Sequence, residues 1–213
     1  DLPVSIENPD TELSLIHVDD FVNQILFDIE NIKKGLSYKK INNVFVITLG
    51  QLNKLLLTFK ESRSSLLLKD IGSGIERLLY TTYISYLKPS NFSYEVPKYE
   101  DERGVFVEML KTKNSGQFSY FTSKPGVTRG EHYHHIKSEK FMILTGKAKF
   151  SFRNVITDEK YETTLEGNDA KIIETAPGWT HKITNVGKGD LIAIVWANEN
   201  FNRDKPDTIF EKV

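Results

Sequence analysis

The 213-residue sequence contains no cysteine, and no charge of one sign dominates it. Without cysteine there can be no disulfide framework, which fits a reducing compartment, so we expect a cytoplasmic protein. Because 28 lysines and arginines balance 29 aspartates and glutamates, binding to nucleic acid or to a membrane surface is not expected. No apolar run reaches membrane-spanning length and no signal peptide is recognised, which also argues against a membrane role. Apolar residues make up 39% of the chain, enough for one or two folded domains.

Histidine is also scarce, but three of the five histidines lie in one stretch, residues 126–146, with the sequence GVTRGEHYHHIKSEKFMILTG. Side chains alternate along a strand, so His132 and His134 should share one face. Glu139 follows a short polar turn and begins a second apolar run. Two imidazoles and a carboxylate on adjacent strands form an incomplete metal site, and His181 is the only good candidate for the missing ligand. Zinc suits this ligand set, and iron, manganese or nickel would also fit.

The spacing of these residues resembles the two sequence motifs of the cupin family. The first motif is matched by Gly126, His132, His134, Glu139 and Gly146. The second is matched by Pro177-Gly178, His181 and Asn185, with the usual P-x-G shortened by one residue. The resemblance implies that residues 99–213 form a mainly β cupin domain, a double-stranded β-helix (jelly-roll barrel) with a metal in its mouth.

Alternating apolar residues between turn signals predict about ten short strands in this domain. They are residues 105–110, 117–122, 130–135, 140–144, 147–153, 161–165, 170–174, 181–185, 191–196 and 208–211. Small antiparallel barrels have edges to protect, and pairing with a second chain is a common solution. We therefore predict a homodimer through the cupin domain.

Residues 1–95 have a different pattern, which predicts a small mixed α/β region. Its predicted elements are helices at 21–33, 51–62 and 74–86 and a strand at 44–49, with Asp19 or Asp20 capping the first helix. The stretch NPDTELSLIHVDDFVNQIL resembles the carboxy-terminal part of an extended short-chain dehydrogenase/reductase (SDR). No G-x-G-x-x-G opens a βαβ unit, and no Tyr-x-x-x-Lys pair lies on a predicted helix. We therefore expect an SDR remnant without the NADPH-binding half, whose apolar stretches at 44–49 and 66–68 would pack on that half.

A further signature lies in the cupin part, where D-x-R-G-x-F-x-E precedes R-G-x-H-Y. Together these motifs resemble the RmlC-like cupin epimerases, which act at C3 of nucleotide-activated 4-keto sugars. The resemblance implies that Arg103 and Glu108 hold the nucleotide diphosphate and the sugar, while Phe106 packs on the ligand. Arg129, the arginine of R-G-x-H-Y, is a further substrate-binding candidate. The alternation of these residues also suits an arginine fork on phosphate with an aromatic ring and a carboxylate nearby.

The two resemblances assign different roles to His132. In the metal-free epimerases of the RmlC-like group this histidine is the catalytic base, whereas in metal cupins it is a ligand. Because His134, Glu139 and His181 are required by a metal site and not by a metal-free epimerase, we favour the ligand role. The base is then left open among Lys137, Tyr133, Tyr161 and Glu174, with the first two as the catalytic candidates.

The order of the two parts, reductase first and cupin second, resembles the bifunctional enzymes of capsular polysaccharide synthesis. That resemblance implies C3 epimerisation of a UDP-linked 4-keto-6-deoxy-N-acetylhexosamine in the cupin domain, on the route to UDP-N-acetyl-L-fucosamine. Reduction at C4 with NADPH would belong to the reductase half of a full-length enzyme. Two alternatives stay open: another metal-dependent cupin enzyme, such as a dioxygenase or a sugar isomerase, and a non-catalytic cupin that binds sugar.

Overall fold

The computed structural model describes residues 4–32, 34–36 and 38–213, and these divide into two compact units. The first unit comprises the described residues of Asp1–Ser62 and Asp70–Phe92. The second comprises Arg63–Lys69 and Ser93–Val213. No helix among the described residues is long and apolar enough to cross a membrane.

The first unit contains a two-stranded antiparallel sheet and three helices. The strands are β1 (Glu12–Leu15) and β2 (Phe45–Thr48), and the helices are α1 (Val18–Glu30), α2 (Leu49–Ser65) and α3 (Gly74–Ser85). A 3₁₀ turn, Pro89–Asn91, follows. The buried ring of Phe59 lies 5.2 Å from the ring of Tyr80 and 6.0 Å from that of Tyr83, so an aromatic cluster joins α2 to α3.

The first helix differs from its prediction at its start. It begins at Val18, three residues early, because the side chain of His17 accepts a hydrogen bond from the backbone N–H of Asp19. The predicted aspartate cap is therefore wrong: Asp19 and Asp20 lie inside the first turn, where carboxylates favour the helix dipole. The predicted end of this helix, Lys33, lies outside the described residues.

The second unit consists of two β-sheets, and all ten predicted strands are present. The larger sheet has the order β11-β8-β13-β6-β5-β3, with β4 also paired to β5, and the smaller has the order β10-β9-β12-β7-β14. The strands are β3 (Leu67–Leu68), β4 (Lys98–Asp101), β5 (Gly104–Thr112), β6 (Gln117–Ser123), β7 (Thr128–Tyr133), β8 (Glu139–Thr145), β9 (Lys147–Asn154), β10 (Lys160–Glu166), β11 (Ile172–Thr175), β12 (Trp179–Asn185), β13 (Leu191–Ala197) and β14 (Ile209–Phe210).

The core of this unit lies between the two sheets. Buried and less buried residues alternate along β6, β12 and β13, as expected where one face of each strand is covered. Phe121, Phe141 and Leu191 reach the core from the larger sheet, and Phe150 and Ile183 reach it from the smaller. The predicted mainly β cupin double-stranded β-helix is confirmed.

Two strands of the second unit were not predicted. Lys98–Asp101 pairs with β5, although only the start of the domain was expected there. Leu67–Leu68 pairs with β5 in parallel, and the carbonyl of Leu66 accepts a hydrogen bond from the N–H of Lys111 at 2.8 Å. Leu66 is buried in this arrangement. The expectation that residues 66–68 pack on a missing reductase half is therefore wrong for Leu66.

Candidate metal centre

Four polar side chains converge inside the second unit: His132, His134, Glu139 and His181. One ligand atom from each lies within 4.8 Å of the ligand atoms of the other three. His132 belongs to β7, Glu139 begins β8, and His181 belongs to β12. The structure thus brings together the four residues that the two motifs predicted as ligands.

The pairing of β7 with β12 sets two of these side chains next to each other. His132 and His181 are direct partners in the antiparallel register, so their side chains share one face. The register shifts by one residue between His181 and Lys182. Beside this shift Gly130 has φ +104°, and an added Cβ would lie 2.6 Å from the carbonyl oxygen of His181. Any side chain at position 130 would therefore force the two ligand-bearing strands apart.

His134 reaches the same place by a different route than predicted. Strand β7 ends at Tyr133, so alternation along the strand does not position His134. Its side chain is 1% exposed, and its Nδ1 contacts the backbone carbonyl of Asp207. His135 has a side chain that is 66% exposed and turns away from the centre. The ring of Tyr133 packs on that of His135, 5.4 Å away.

The hydrogen bonds of two imidazoles fix where their protons lie. The Nδ1 of His134 faces the carbonyl of Asp207, and that of His181 faces the carbonyl of Trp179 at 3.4 Å. A carbonyl only accepts, so each Nδ1 donates to it, and in the neutral ring Nε2 then keeps the lone pair. Both Nε2 atoms face Oε2 of Glu139, at 3.3 Å and 3.4 Å. When both rings are neutral, two nitrogen lone pairs and a carboxylate oxygen point to one place, and this is a donor set that fits a divalent metal.

The protonation of the ligands at neutral pH agrees with this role. Burial raises the pKa of Glu139, but its contacts with His134 and His181 and the charge of Lys137 outweigh burial, so the pKa lies well below its usual range. Burial is the main cause that lowers the pKa of His132 to about 4. The centre therefore offers an ionised carboxylate and a neutral imidazole at neutral pH, as metal ligation requires.

Two cavities that share part of their lining open on this centre. We call one cavity, of about 270 Å³, the arginine lobe; it is lined by Arg103, Arg129, His132 and His181 among others. We call the other cavity, of about 230 Å³, the lysine lobe; it is lined by Glu108, Gln117, Ser119, Lys137, Glu199 and Phe201 among others. Both cavities share Phe106, Glu139 and Val195, so Glu139 faces both.

Two guanidinium groups make the arginine lobe cationic. The Nε of Arg103 donates to the carboxylate of Asp101 at 3.0 Å, so this guanidinium is already partly paired. Arg129 donates from Nη2 to the carbonyl of Thr122 at 3.0 Å, while its buried Nε has no hydrogen-bond partner. Burial and the charge of Arg103 lower the pKa of Arg129. A buried cationic N–H without a protein acceptor suits an anionic ligand.

Of the four candidate bases, Lys137 alone lines one of the two lobes. Its Nζ lies 3.6 Å from Oε1 of Glu139 and 3.4 Å from Oγ1 of Thr208. Tyr133 packs on His135, away from the centre. Tyr161 is exposed, and Glu174 is an exposed ion-pair partner of Lys140.

Glu108 and Phe106 also lie where a ligand would contact them. Phe106 lines both lobes, whereas Glu108 lines only the lysine lobe. Glu108 is held by an ion pair with Lys111 at 2.7 Å and a hydrogen bond from Gln117 at 3.3 Å. The resemblance implied that Glu108 helps to hold the nucleotide diphosphate and the sugar. In the structure Glu108 lies on the side of Lys137, away from the two arginines.

Sequence reasoning missed Asp207. Its carboxylate accepts hydrogen bonds from the backbone N–H groups of residues 135, 136 and 137, at 2.9 Å, 2.8 Å and 2.8 Å. Burial raises the pKa of Asp207, but the three N–H groups outweigh burial and lower the pKa to about 2, so the carboxylate is ionised at neutral pH. No motif includes this residue, and the contacts span about seventy positions of sequence.

The family described as "Polysaccharide biosynthesis C-terminal domain" matches residues 99–209, about half of the chain. This chain belongs to that family. Over 208 residues the chain is 47% identical to a UDP-2-acetamido-2,6-beta-L-arabino-hexul-4-ose reductase of Pseudomonas aeruginosa, covering 98% of this chain and 56% of that protein. The chain is also 28% identical over 120 residues to the spore coat polysaccharide biosynthesis protein SpsL of Bacillus subtilis, and this match covers 52% of this chain and 80% of that protein.

Crystal structures of CapF resemble almost the whole chain. A complex of CapF with the inhibitor 3-isopropenyl-tropolone is 40% identical with a TM-score of 0.92, covering 99% of this chain and 61% of that one. CapF from Staphylococcus aureus, a capsular polysaccharide assembling protein, is 39% identical with a TM-score of 0.90, covering 99% and 57%. The resemblance to capsular polysaccharide enzymes is confirmed. The chain spans little more than half the length of the reductase that it matches.

Replacing His134 with alanine should abolish metal binding while leaving the β-structure largely intact. The variant loses one of four ligands, whereas the core between the sheets does not depend on this side chain. Elemental analysis of the purified protein measures the metal, and circular dichroism measures the fold. His135→Ala is the matched control and should keep its metal, since its side chain is exposed. Undiminished metal in His134→Ala would remove His134 from the ligand set.

Proposed function

We propose that the second unit is a metal-containing epimerase that acts at C3 of a UDP-linked 4-keto-6-deoxy-N-acetylhexosamine. The observation that carries this proposal is the shared position of Glu139, which belongs to the metal cluster and faces both lobes. A cationic region and a proton-transfer candidate thus lie on either side of one metal centre. The similarity to a reductase named for a UDP-linked hexul-4-ose supports a 4-keto sugar nucleotide as the substrate.

The two lobes suggest how such a substrate lies. A diphosphate suits the arginine lobe, where the Nε of Arg129 lacks an acceptor and Arg103 adds a second positive charge. The sugar would then extend past Phe106 and Glu139 toward the lysine lobe, where Lys137 and Glu108 lie. Phe106 lines both lobes and can pack on the ligand along the way.

Epimerisation beside a ketone needs a base that removes the C3 proton and an acid that returns one to the opposite face. A divalent metal held by His132, His134, Glu139 and His181, most suitably zinc, supplies a Lewis acid that polarises a carbonyl oxygen. We assign proton transfer at C3 to Lys137, because of the four candidates it alone lines one of the two lobes. His132 then acts as a ligand and not as the base, since its imidazole clusters with the other three groups.

Deuterium exchange tests this reaction. When the protein is mixed with the UDP-4-keto sugar in deuterated water without NADPH, deuterium should enter at C3, measured by NMR. Lys137→Met should slow the exchange by roughly 10²-fold or more, whereas Lys147→Met, at an exposed position that lines neither lobe, should not. No exchange above the uncatalysed rate would refute the epimerase. Binding of the sugar without exchange would favour a non-catalytic cupin. Consumption of oxygen would favour a dioxygenase.

NADPH is proposed to serve a full-length enzyme and not this chain. The sequence has no glycine-rich turn that would hold a dinucleotide pyrophosphate. In the same exchange mixture, added NADPH should keep its absorbance while deuterium still enters at C3. Consumption of NADPH by the pure protein would contradict this division of labour.

A sugar-nucleotide substrate and the absence of cysteine are consistent with a cytoplasmic location.

Arg129→Ala should weaken UDP binding about 10- to 150-fold. A hydrogen bond to a charged group contributes roughly 1.5–3 kcal/mol, and each 1.4 kcal/mol corresponds to a factor of ten. Titration calorimetry with UDP measures the change, and the exposed Arg203→Ala is the control. An unchanged UDP affinity in Arg129→Ala would show that the arginine lobe does not hold the diphosphate.

The homodimer is proposed to form through the outer face of the larger sheet. This face carries an apolar depression of about 450 Å³ lined by Phe118, Met142, Ile172, Ile194 and Trp196, among others. An exposed apolar patch of this kind is typical of a protein interface, and a second copy is the occupant we propose.

Phe118→Lys should shift the protein from dimer to monomer, because a charge would be buried at the centre of the apolar face. Light scattering coupled to size exclusion measures the mass. Ile156→Lys places the same charge on an exposed turn and should leave the dimer intact. A wild-type monomer, or a Phe118→Lys dimer of unchanged affinity, would rule out this interface.

A further inference from the structure

The segment that follows β13 returns to the metal centre and contacts it at Asp207. The carboxylate of Asp207 accepts the backbone N–H of His135 on Oδ1 and those of Ile136 and Lys137 on Oδ2, all within 2.9 Å. Its own backbone carbonyl faces Nδ1 of His134. A single residue thus holds four consecutive positions, 134–137.

Those four positions form the connection between two of the proposed ligands. His134 lies at its start and Glu139, the first residue of β8, follows its end. Three N–H groups in a row point at one carboxylate, so the backbone of this turn has the concave form that binds an anion. If the carboxylate were removed, three donors would lose their acceptor together, and the turn would lose the interaction that sets its conformation.

Asp207 is itself held in place by its neighbours. We call residues 207–211 the C-terminal strap. In this strap Ile209 pairs with Tyr133 and Phe210 pairs with His132, so the strap lies directly beside the ligand-bearing end of β7. The N–H of Glu211 donates to the carbonyl of Glu131 at 3.0 Å, which continues the same ladder. Main-chain pairing of residues 209–211 therefore holds the strap, and with it Asp207, beside β7.

We propose that Asp207 is a positioning residue for the metal centre. Its carboxylate fixes the turn between the ligands His134 and Glu139, and its carbonyl keeps the proton of His134 on Nδ1. The Nε2 lone pair of His134 then faces Glu139 before any metal binds. This inference rests on the proposed metal centre and adds a residue that contacts no metal itself. Groups that orient a ligand in this way typically change metal affinity by about 10- to 100-fold.

The test compares Asp207→Asn with wild-type protein. Asparagine keeps the size of the side chain. Its N–H₂ group would face backbone N–H donors at a place where a carboxylate oxygen now accepts their hydrogen bonds. The dissociation constant for Zn²⁺, measured by competition with a chromophoric chelator, should rise about 10- to 100-fold. Asp204→Asn, an exposed change three residues earlier, should leave the constant unchanged. Absorbance of the Co²⁺-loaded protein should also change in Asp207→Asn and not in the control.

A second measurement does not depend on the variant folding. In metal-free wild-type protein, the amide N–H groups of residues 135–137 should exchange slowly with deuterium, because Asp207 already holds them. Exchange at the rate of an open loop would overturn the inference. Equal Zn²⁺ affinity in wild type and Asp207→Asn would also overturn it and would leave the metal centre standing. If wild-type protein binds neither Zn²⁺ nor Co²⁺, the proposed metal centre itself fails, which separates the two outcomes.

Discussion

The convergence of a buried carboxylate with three imidazoles is the constraint on which the second unit depends. The side chains of His134 and His181 are almost fully buried, and that of Glu139 is 13% exposed. Burying such groups costs several kcal/mol unless each finds a partner of suitable charge. Two Nδ1 atoms are satisfied by backbone carbonyls, while the Nε2 lone pairs and the carboxylate oxygen face one another. A divalent cation bound here would supply a partner for all of them at once.

The fold serves this convergence through strand pairing. The hydrogen-bonded ladder of β7 and β12 joins residues about fifty positions apart, and Gly130 allows their backbones to approach. The opposite sheet contributes Glu139 together with most of the wall of the lysine lobe, including Phe106 and Val195. Because His132 and His181 lie on the smaller sheet and Glu139 lies on the larger, packing of the apolar core between the sheets also sets the distances among these candidate ligands. The cationic lobe and Lys137 therefore keep a fixed relation to the centre.

Much of this arrangement follows from sequence because it is periodic or because it has a motif. Alternating apolar residues located all ten predicted strands, and the spacing of the histidines and Glu139 located the cluster. Features without either signal were missed. Leu67–Leu68 is too short to show a period, and its pairing with β5 depends on tertiary packing. His17 is a rare helix cap that the neighbouring aspartates conceal. The contact of Asp207 joins distant segments, and the partners of its carboxylate are backbone N–H groups, which carry no sequence information.

X-ray absorption at the zinc edge tests the central claim most directly. The protein reconstituted with one equivalent of Zn²⁺ should show only nitrogen and oxygen neighbours at about 2.0–2.2 Å. Multiple scattering should indicate three imidazoles in wild-type protein and two after His181→Ala. Zinc that binds without imidazole scattering, or a spectrum that does not change in His181→Ala, would contradict a centre built from His132, His134, Glu139 and His181.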